Sequence, residues 1–180
     1  MALVFIASAT ASSSATLSFT SGIDNTYNEY QLQFVNMHPA STSAGEGFMF
    51  QVNADGGSGF NETITSTVFR AYHTEDDATA DLAYGTSQDQ GQGTGYQKLT
   101  DYTSSQNDGS VSGILTLYAP SSATYVKHFT AVTQNMHGNA GSSTWHVAGY
   151  INTTTAIDEI SFKFDSDNIA AGTIYMYGVG

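Results

Sequence analysis

Residues 28–36 read Asn28-Glu29-Tyr30-Gln31-Leu32-Gln33-Phe34-Val35-Asn36, and this stretch decides the fold class. Tyr30, Leu32 and Phe34 alternate with Gln31, Gln33 and Val35, so every second side chain is large and apolar. A helix turns every 3.6 residues and would scatter those three side chains, whereas a strand sets them all on one face. The same period of two recurs at Ala15, Leu17 and Phe19, at Phe48, Phe50 and Val52, at Ile160, Phe162 and Phe164, and at Ile174 and Met176. Val, Ile, Thr, Phe and Tyr fill these runs, as a pleated, half-buried surface favours.

Turn signals separate the runs: Ser21-Gly22, Asp55-Gly56-Gly57, Asn107-Asp108-Gly109, His137-Gly138-Asn139 and Ala171-Gly172. Short strands with regular punctuation predict an all-β fold, an antiparallel β-sandwich of jelly-roll-like form. About ten strands are expected, near 2–10, 14–20, 28–36, 47–53, 64–73, 94–99, 111–119, 124–135, 144–151, 157–164 and 173–178, with one merging into a neighbour. The best short helical candidate is Glu75–Tyr84, where Asp76 and Asp77 offer a start for one or two turns. The segment from Glu75 to Gly95, rich in Asp, Gln and Gly, reads as a long surface loop, either a carrier of specificity or a solvated connection. Residues 1–180 read as a single sandwich domain, with no linker and no repeat.

The chain has 180 residues and no cysteine, which excludes disulfides, thiolate metal sites and cysteine nucleophiles. Four basic residues face 16 acidic ones, giving a net charge of −12. Arg70, Lys98, Lys127 and Lys163 are widely spaced, so nucleic acid and anionic membrane surfaces are not expected partners. Met1–Ala11 lacks a charged leader and its apolar run is short, so it reads as a first strand rather than a signal peptide. No stretch reaches the ~18 apolar residues of a membrane-spanning helix.

The histidines and carboxylates carry no catalytic signature in their spacing. His38, His73, His128, His137 and His146 are dispersed; His137 and His146 come close only if they flank a hairpin around Gly138–Gly141, and two histidines fall short of a zinc site. Asp165-Ser166-Asp167-Asn168 and Glu75-Asp76-Asp77 read as solvated turns rather than calcium loops. Glu46, Glu62, Glu75 and Glu159 are the glutamates from which a glycosidase pair would be drawn, and nothing in the sequence pairs them. There is no G-x-S-x-G elbow and no phosphate loop, and Gly91-Gln92-Gly93-Thr94-Gly95 reads as a flexible turn. No enzyme, cofactor or metal is therefore expected.

Aromatic side chains remain: 11 Tyr, 10 Phe and one Trp. Strand-facing Phe belongs to the core, and Trp145 is read there too. Tyr buries its ring while its hydroxyl stays wet, so Tyr72, Tyr84, Tyr96 and Tyr102 are the candidate contacts to a glycan or a partner protein, with a place at the rim of the core as the competing reading. Few Lys and only Pro39 and Pro120 are available to protect strand edges. Covered edges are the expectation, by copies of the chain in a homo-oligomer, a trimer first, or by the chain's own loops.

Three stretches carry a family resemblance. They are Gly22-Ile23-Asp24-Asn25-Thr26-Tyr27-Asn28-Glu29-Tyr30 running into Gln31-Leu32-Gln33-Phe34; Leu115-Thr116-Leu117-Tyr118-Ala119-Pro120-Ser121-Ser122 with Tyr125-Val126-Lys127-His128-Phe129; and Gly149-Tyr150-Ile151-Asn152-Thr153-Thr154 through Ile157-Asp158-Glu159-Ile160, closing on Gly172-Thr173-Ile174-Tyr175-Met176-Tyr177-Gly178. The chain resembles small virion structural proteins of tailed phages, of the marine phage and cyanophage type, and is similar to terminal β-sandwich domains of phage tail fibres. The resemblance implies a place on the virion surface after assembly in the host cytoplasm. It implies first a capsid decoration or cement protein, partnered by itself and the major capsid protein. The alternatives are a tail fibre or receptor-binding protein that meets tail proteins and a host glycan, and a free carbohydrate-binding module. The resemblance implies no catalytic residue.

Overall fold

The computed structural model describes residues 2–41 and 45–180. Thirteen strands form among them: β1 (Leu3–Thr10), β2 (Leu17–Phe19), β3 (Glu29–Pro39), β4 (Phe48–Ala54), β5 (Ile64–Thr74), β6 (Ala80–Tyr84), β7 (Gly91–Gly93), β8 (Gln97–Lys98), β9 (Val111–Tyr118), β10 (Lys127–His137), β11 (Gly141–Ile151), β12 (Ile157–Phe164) and β13 (Ile169–Val179). They make a nine-stranded sheet in the order β1-β13-β3-β9-β10-β11-β5-β6, with β7 also beside β5, and a four-stranded sheet in the order β2-β12-β4-β8. Every pairing is antiparallel.

The jelly roll is explicit in that order. The quartet β1-β13-β3-β9 has its sequence neighbours, β2-β12-β4-β8, at the matching places in the other sheet. Successive strands thus cross from sheet to sheet, as wrapped Greek keys require. Alternation supplies the glue: Phe34 and Phe129 from the large sheet meet Phe48, Phe50 and Phe162 from the small one. Phe34 lies 5.3 Å from both Phe48 and Phe162, and Phe50 lies 5.0 Å from Phe129, ring centre to ring centre, all edge to face.

Two insertions extend this barrel-like core. β5–β7 enter between β4 and β8, and β10–β11 between β9 and β12, and together they lengthen the large sheet beyond β9. The small sheet gains nothing to match. The inward face of the extension is covered instead by Gln97 of β8 and the irregular chain from Leu99 to Ser104. The Thr133 hydroxyl donates to Leu99 O at 2.6 Å, the Ser66 hydroxyl to Gln97 Oε1 at 2.6 Å, and Asn135 Nδ2 to Asp101 O at 3.2 Å. This half of the interior is polar because its cover is irregular backbone, whose carbonyls must find donors.

Four expectations need correction. The strands number thirteen rather than about ten, because the eleven expected ranges stay separate and β6 and β7 form in the segment read as a loop. Glu75–Tyr84 is no helix: Glu75–Thr79 is a turn and its continuation is β6, paired to β5 from Phe69↔Tyr84 to His73↔Ala80. Gly91–Gly93, read as a flexible turn, is β7. Ala171-Gly172, taken as a turn, is an irregularity inside β13, where the register against β3 shifts. Gly172 has φ +116° there, and a Cβ on it would stand 2.6 Å from Asn36 O, so only glycine fits this bulge.

A cleft under the sheet extension

Between the cover and the inward face of β5 and β11 lies a cleft of about 420 Å³. Arg70 and Tyr72 follow Val68 on one face of β5 at strand period. Arg70 is the direct cross-strand partner of Trp145 in β11, and its guanidinium carbon sits 5.2 Å from the Tyr72 ring centre and 5.8 Å from that of Trp145. Its pairing with Asp81 is loose, at 3.7 Å. Trp145 is buried and anchors its indole N–H on Asn135 Oδ1 at 3.0 Å.

The opposite wall is the segment Asp101–Thr103. Asp101 is buried, and its carboxylate accepts from Lys98 Nζ at 2.9 Å and from Gln88 Nε2 at 2.6 Å. Lys98 also reaches Asp165 at 3.1 Å. Burial works to lower the Lys98 pKa, but the hydrogen bonds and charges of Asp101 and Asp165 outweigh it and hold the ammonium above the ordinary lysine value. Tyr102 adopts φ +53°, a left-handed conformation that a bulky residue rarely takes. Backbone bonds on both sides hold it there: Gly138 N–H to Tyr102 O at 2.8 Å, Thr103 N–H to Glu46 O at 3.0 Å and Ser104 N–H to Met136 O at 2.8 Å.

His137, the last residue of β10, closes the end of the cleft. It is buried between Tyr72 at 4.6 Å and Tyr102 at 5.4 Å, centre to centre. Its Nδ1 accepts the Asn139 N–H at 3.2 Å, so the neutral ring carries its hydrogen on Nε2. Burial and then the charge of Arg70 push its pKa below the ordinary 6.5, against an opposing pull from Asp101. His137 and His146 do flank one hairpin, β10–β11, but they are not a pair. His146 faces the other side of the sheet, stacked on Phe69 at 4.7 Å.

Of the four tyrosines expected to make contacts, Tyr72, Tyr84 and Tyr102 line this cleft. Tyr84 stands at its rim on the edge strand and donates its hydroxyl to Asp89 at 2.7 Å. Tyr96 does not line it: its ring lies 4.7 Å from the Lys163 ammonium of β12, in the small sheet. Arg70, Asp101, His137 and Trp145 also line the cleft, beyond the residues the sequence singles out for contact. The i,i+2 spacing of Arg70 and Tyr72 was the one local signal, since it puts both on one strand face.

The acidic runs serve turns. Asp165 pairs with Lys98, the Ser166 hydroxyl donates to Glu46 Oε1 at 2.6 Å, and Asp167 accepts the Asn168 N–H at 2.8 Å. Asp76 accepts the Ala78 N–H at 3.0 Å, and Asp77 lies 3.0 Å from His73 Nε2. Among the described residues no group of three or more His, Asp or Glu side chains is placed to hold a metal ion, and no helix is long and apolar enough to cross a membrane. Comparison with protein-family models, with curated proteins and with solved structures returns no match to this chain.

Proposed function

We propose that this chain is a structural protein on the surface of a tailed-phage particle, a jelly roll that packs against copies of itself and stabilises the shell as a capsid decoration protein. The observation that carries the reading is the outer face of the long sheet. There Ile114, Val132, His146 and Phe69 stand opposite one another in register across β9, β10, β11 and β5. Ile114, Val132 and Phe69 are 41%, 50% and 46% exposed. Neighbouring strands are ~4.8 Å apart, so these side chains form one row, apolar but for His146, rather than scattered surface positions.

Charge supports an apolar contact. Each basic residue is engaged within the chain: Arg70 by Asp81 and two rings, Lys98 by two aspartates, Lys163 over Tyr96, and Lys127 in the interior. A surface of net charge −12 without a free cation cluster cannot rely on ion pairs to a copy of itself, so apolar burial must supply the affinity. The sequence resemblance to small phage virion proteins supplies the setting. A tail receptor-binding role is the second reading, favoured by the cleft under the sheet extension.

Quantitative mass spectrometry of intact particles tests the placement. Hundreds of copies in fixed ratio to the major capsid protein are expected for decoration. A few to several tens would move the chain to the tail, and none would overturn the virion reading.

A further inference from the structure

We propose that the cleft between β5, β11 and the Asp101–Thr103 segment is a binding site for a neutral hexose unit of a glycan. The inference goes beyond placement on a particle, because the site is complete within one chain.

Its volume, about 420 Å³, falls among small-molecule sites, which run ~300–1,000 Å³. The decisive feature is Tyr102. One ring face rests on His137, with planes 12° from parallel, while the residue is 53% exposed. A left-handed backbone at a bulky residue is strained, and three backbone hydrogen bonds from neighbouring segments hold it. Strain that the surroundings over-determine concentrates at ligand clamps. What it achieves here is a rigid aromatic platform open to the cleft. The apolar face of a pyranose presents polarised C–H groups, which the negative face of an aromatic ring attracts.

Hydroxyls need planar donors and acceptors at the edges of such a platform. Arg70 is held flat by Tyr72 and Trp145, and its loose pairing with Asp81 leaves a fork of N–H donors for adjacent hydroxyls. Asp101 is fixed by Lys98 and Gln88, and a carboxylate has lone pairs beyond those two bonds. Charge selects a neutral ring. Asp81, Asp89 and Asp101 outnumber Arg70 and Lys98 around the cleft, and the whole chain repels anions. Asp101 is the one carboxylate lining the cleft, one short of the pair that most glycoside hydrolases use, so binding rather than cleavage is the proposed role.

The chain has a single tryptophan, Trp145, so intrinsic tryptophan fluorescence reports the cleft alone. The purified chain would be titrated with glucose, galactose, mannose and N-acetylglucosamine, and with glucuronic acid and N-acetylneuraminic acid, with ligand-observed NMR in parallel. At least one neutral sugar is expected to bind with millimolar affinity. Tyr102→Ala and Arg70→Met should weaken it about tenfold or more, whereas Tyr96→Ala, outside the cleft, should leave it unchanged. Binding of the acidic sugars alone, binding that survives both weakening substitutions, or no response to any sugar would each overturn the proposal. Because the titration uses the free chain, its outcome is separable from copy number on a particle.

Discussion

Tyr102 stacks on His137 at 5.4 Å although its own backbone, at φ +53°, lies where bulky residues are strained. The stack and the strain oppose each other in the energetics of folding. Tyr102→Gly relieves backbone strain of ~1–3 kcal/mol while losing a half-exposed ring. The expected result in urea unfolding is a stability within about 1 kcal/mol of the parent, with sugar binding lost. A loss of ~3 kcal/mol or more, the cost of deleting a core aromatic, would make Tyr102 a packing residue.

How much of this was legible beforehand depends on range. The alternation in β3, β4, β12 and β13 reported the two-sheet core because each strand carries its own period. β6 and β7 escaped because they are edge strands: Ala80–Tyr84 has no buried position, and Gly91–Gly93 has no side chain to alternate except that of Gln92. Tyr72, Tyr84 and Tyr102 could be named as surface aromatics from composition. Their convergence with Arg70, His137 and Trp145 follows from the register Arg70↔Trp145 and from the cover laid over β10, both long-range choices that no local pattern encodes.

The His137 ring predicts an acid-sensitive cleft. Its folded-state pKa lies below the ordinary 6.5, so the unfolded chain binds the proton more readily. The neutral ring's contribution is present above pH 6.5 and is lost as pH falls from there through the folded-state value. Protonation would also place a hydrogen on Nδ1, which now accepts the Asn139 N–H. Trp145 fluorescence followed from neutral to acid pH should show a transition below 6.5 that disappears in His137→Gln. Persistence of that transition in the variant would assign it to another group.

Glu46 and Asp165 form the second pH-dependent element. Burial, and then the hydrogen bond to Asp165, raise the Glu46 pKa. Asp165 is held below its ordinary value because the hydrogen bond from Glu46, the Gly47 N–H and Lys98 outweigh its own burial. Of the two, Glu46 is therefore the weaker acid and Asp165 the one that more readily carries the charge. The Glu46 contribution is lost as pH rises from 4.5 through its raised folded-state value, and that of Asp165 as pH falls below 3.8. Glu46→Gln keeps a donor for Asp165 and an acceptor for Ser166, so thermal denaturation across this range should lose its upper limb only. Glu46→Ala should destabilise at every pH, by ~1–3 kcal/mol for the partners left unpaired.

Tyr30 closes the turn before β3. Its hydroxyl donates to Asp24 Oδ1 at 2.9 Å and accepts the Asp24 N–H at 3.0 Å, although the ring is fully buried. Tyr30→Phe preserves the packing and deletes both bonds, so a loss of about 1–2 kcal/mol is expected from chemical denaturation. An unchanged midpoint would mean that solvent replaces the hydroxyl without cost.

The apolar row predicts association that salt does not release. Val132 is half exposed in the single chain, so Val132→Asp should fold with little change in Tm, since exposed strand positions tolerate polar side chains. If copies pack through this face, the introduced carboxylate would be buried opposite Ile114 and His146 of its own sheet and against a neighbour's apolar row. Sedimentation velocity should then find the parent chain oligomeric at both low and high ionic strength and the variant monomeric at both. Ion-pair assembly would instead weaken steeply as added salt shortens the Debye length from ~10 Å toward ~3 Å. With its four cations engaged within the chain, that mode has little to work with; dissociation of the parent at moderate salt would therefore count against the apolar face as the contact and point to the acidic surface meeting a basic partner.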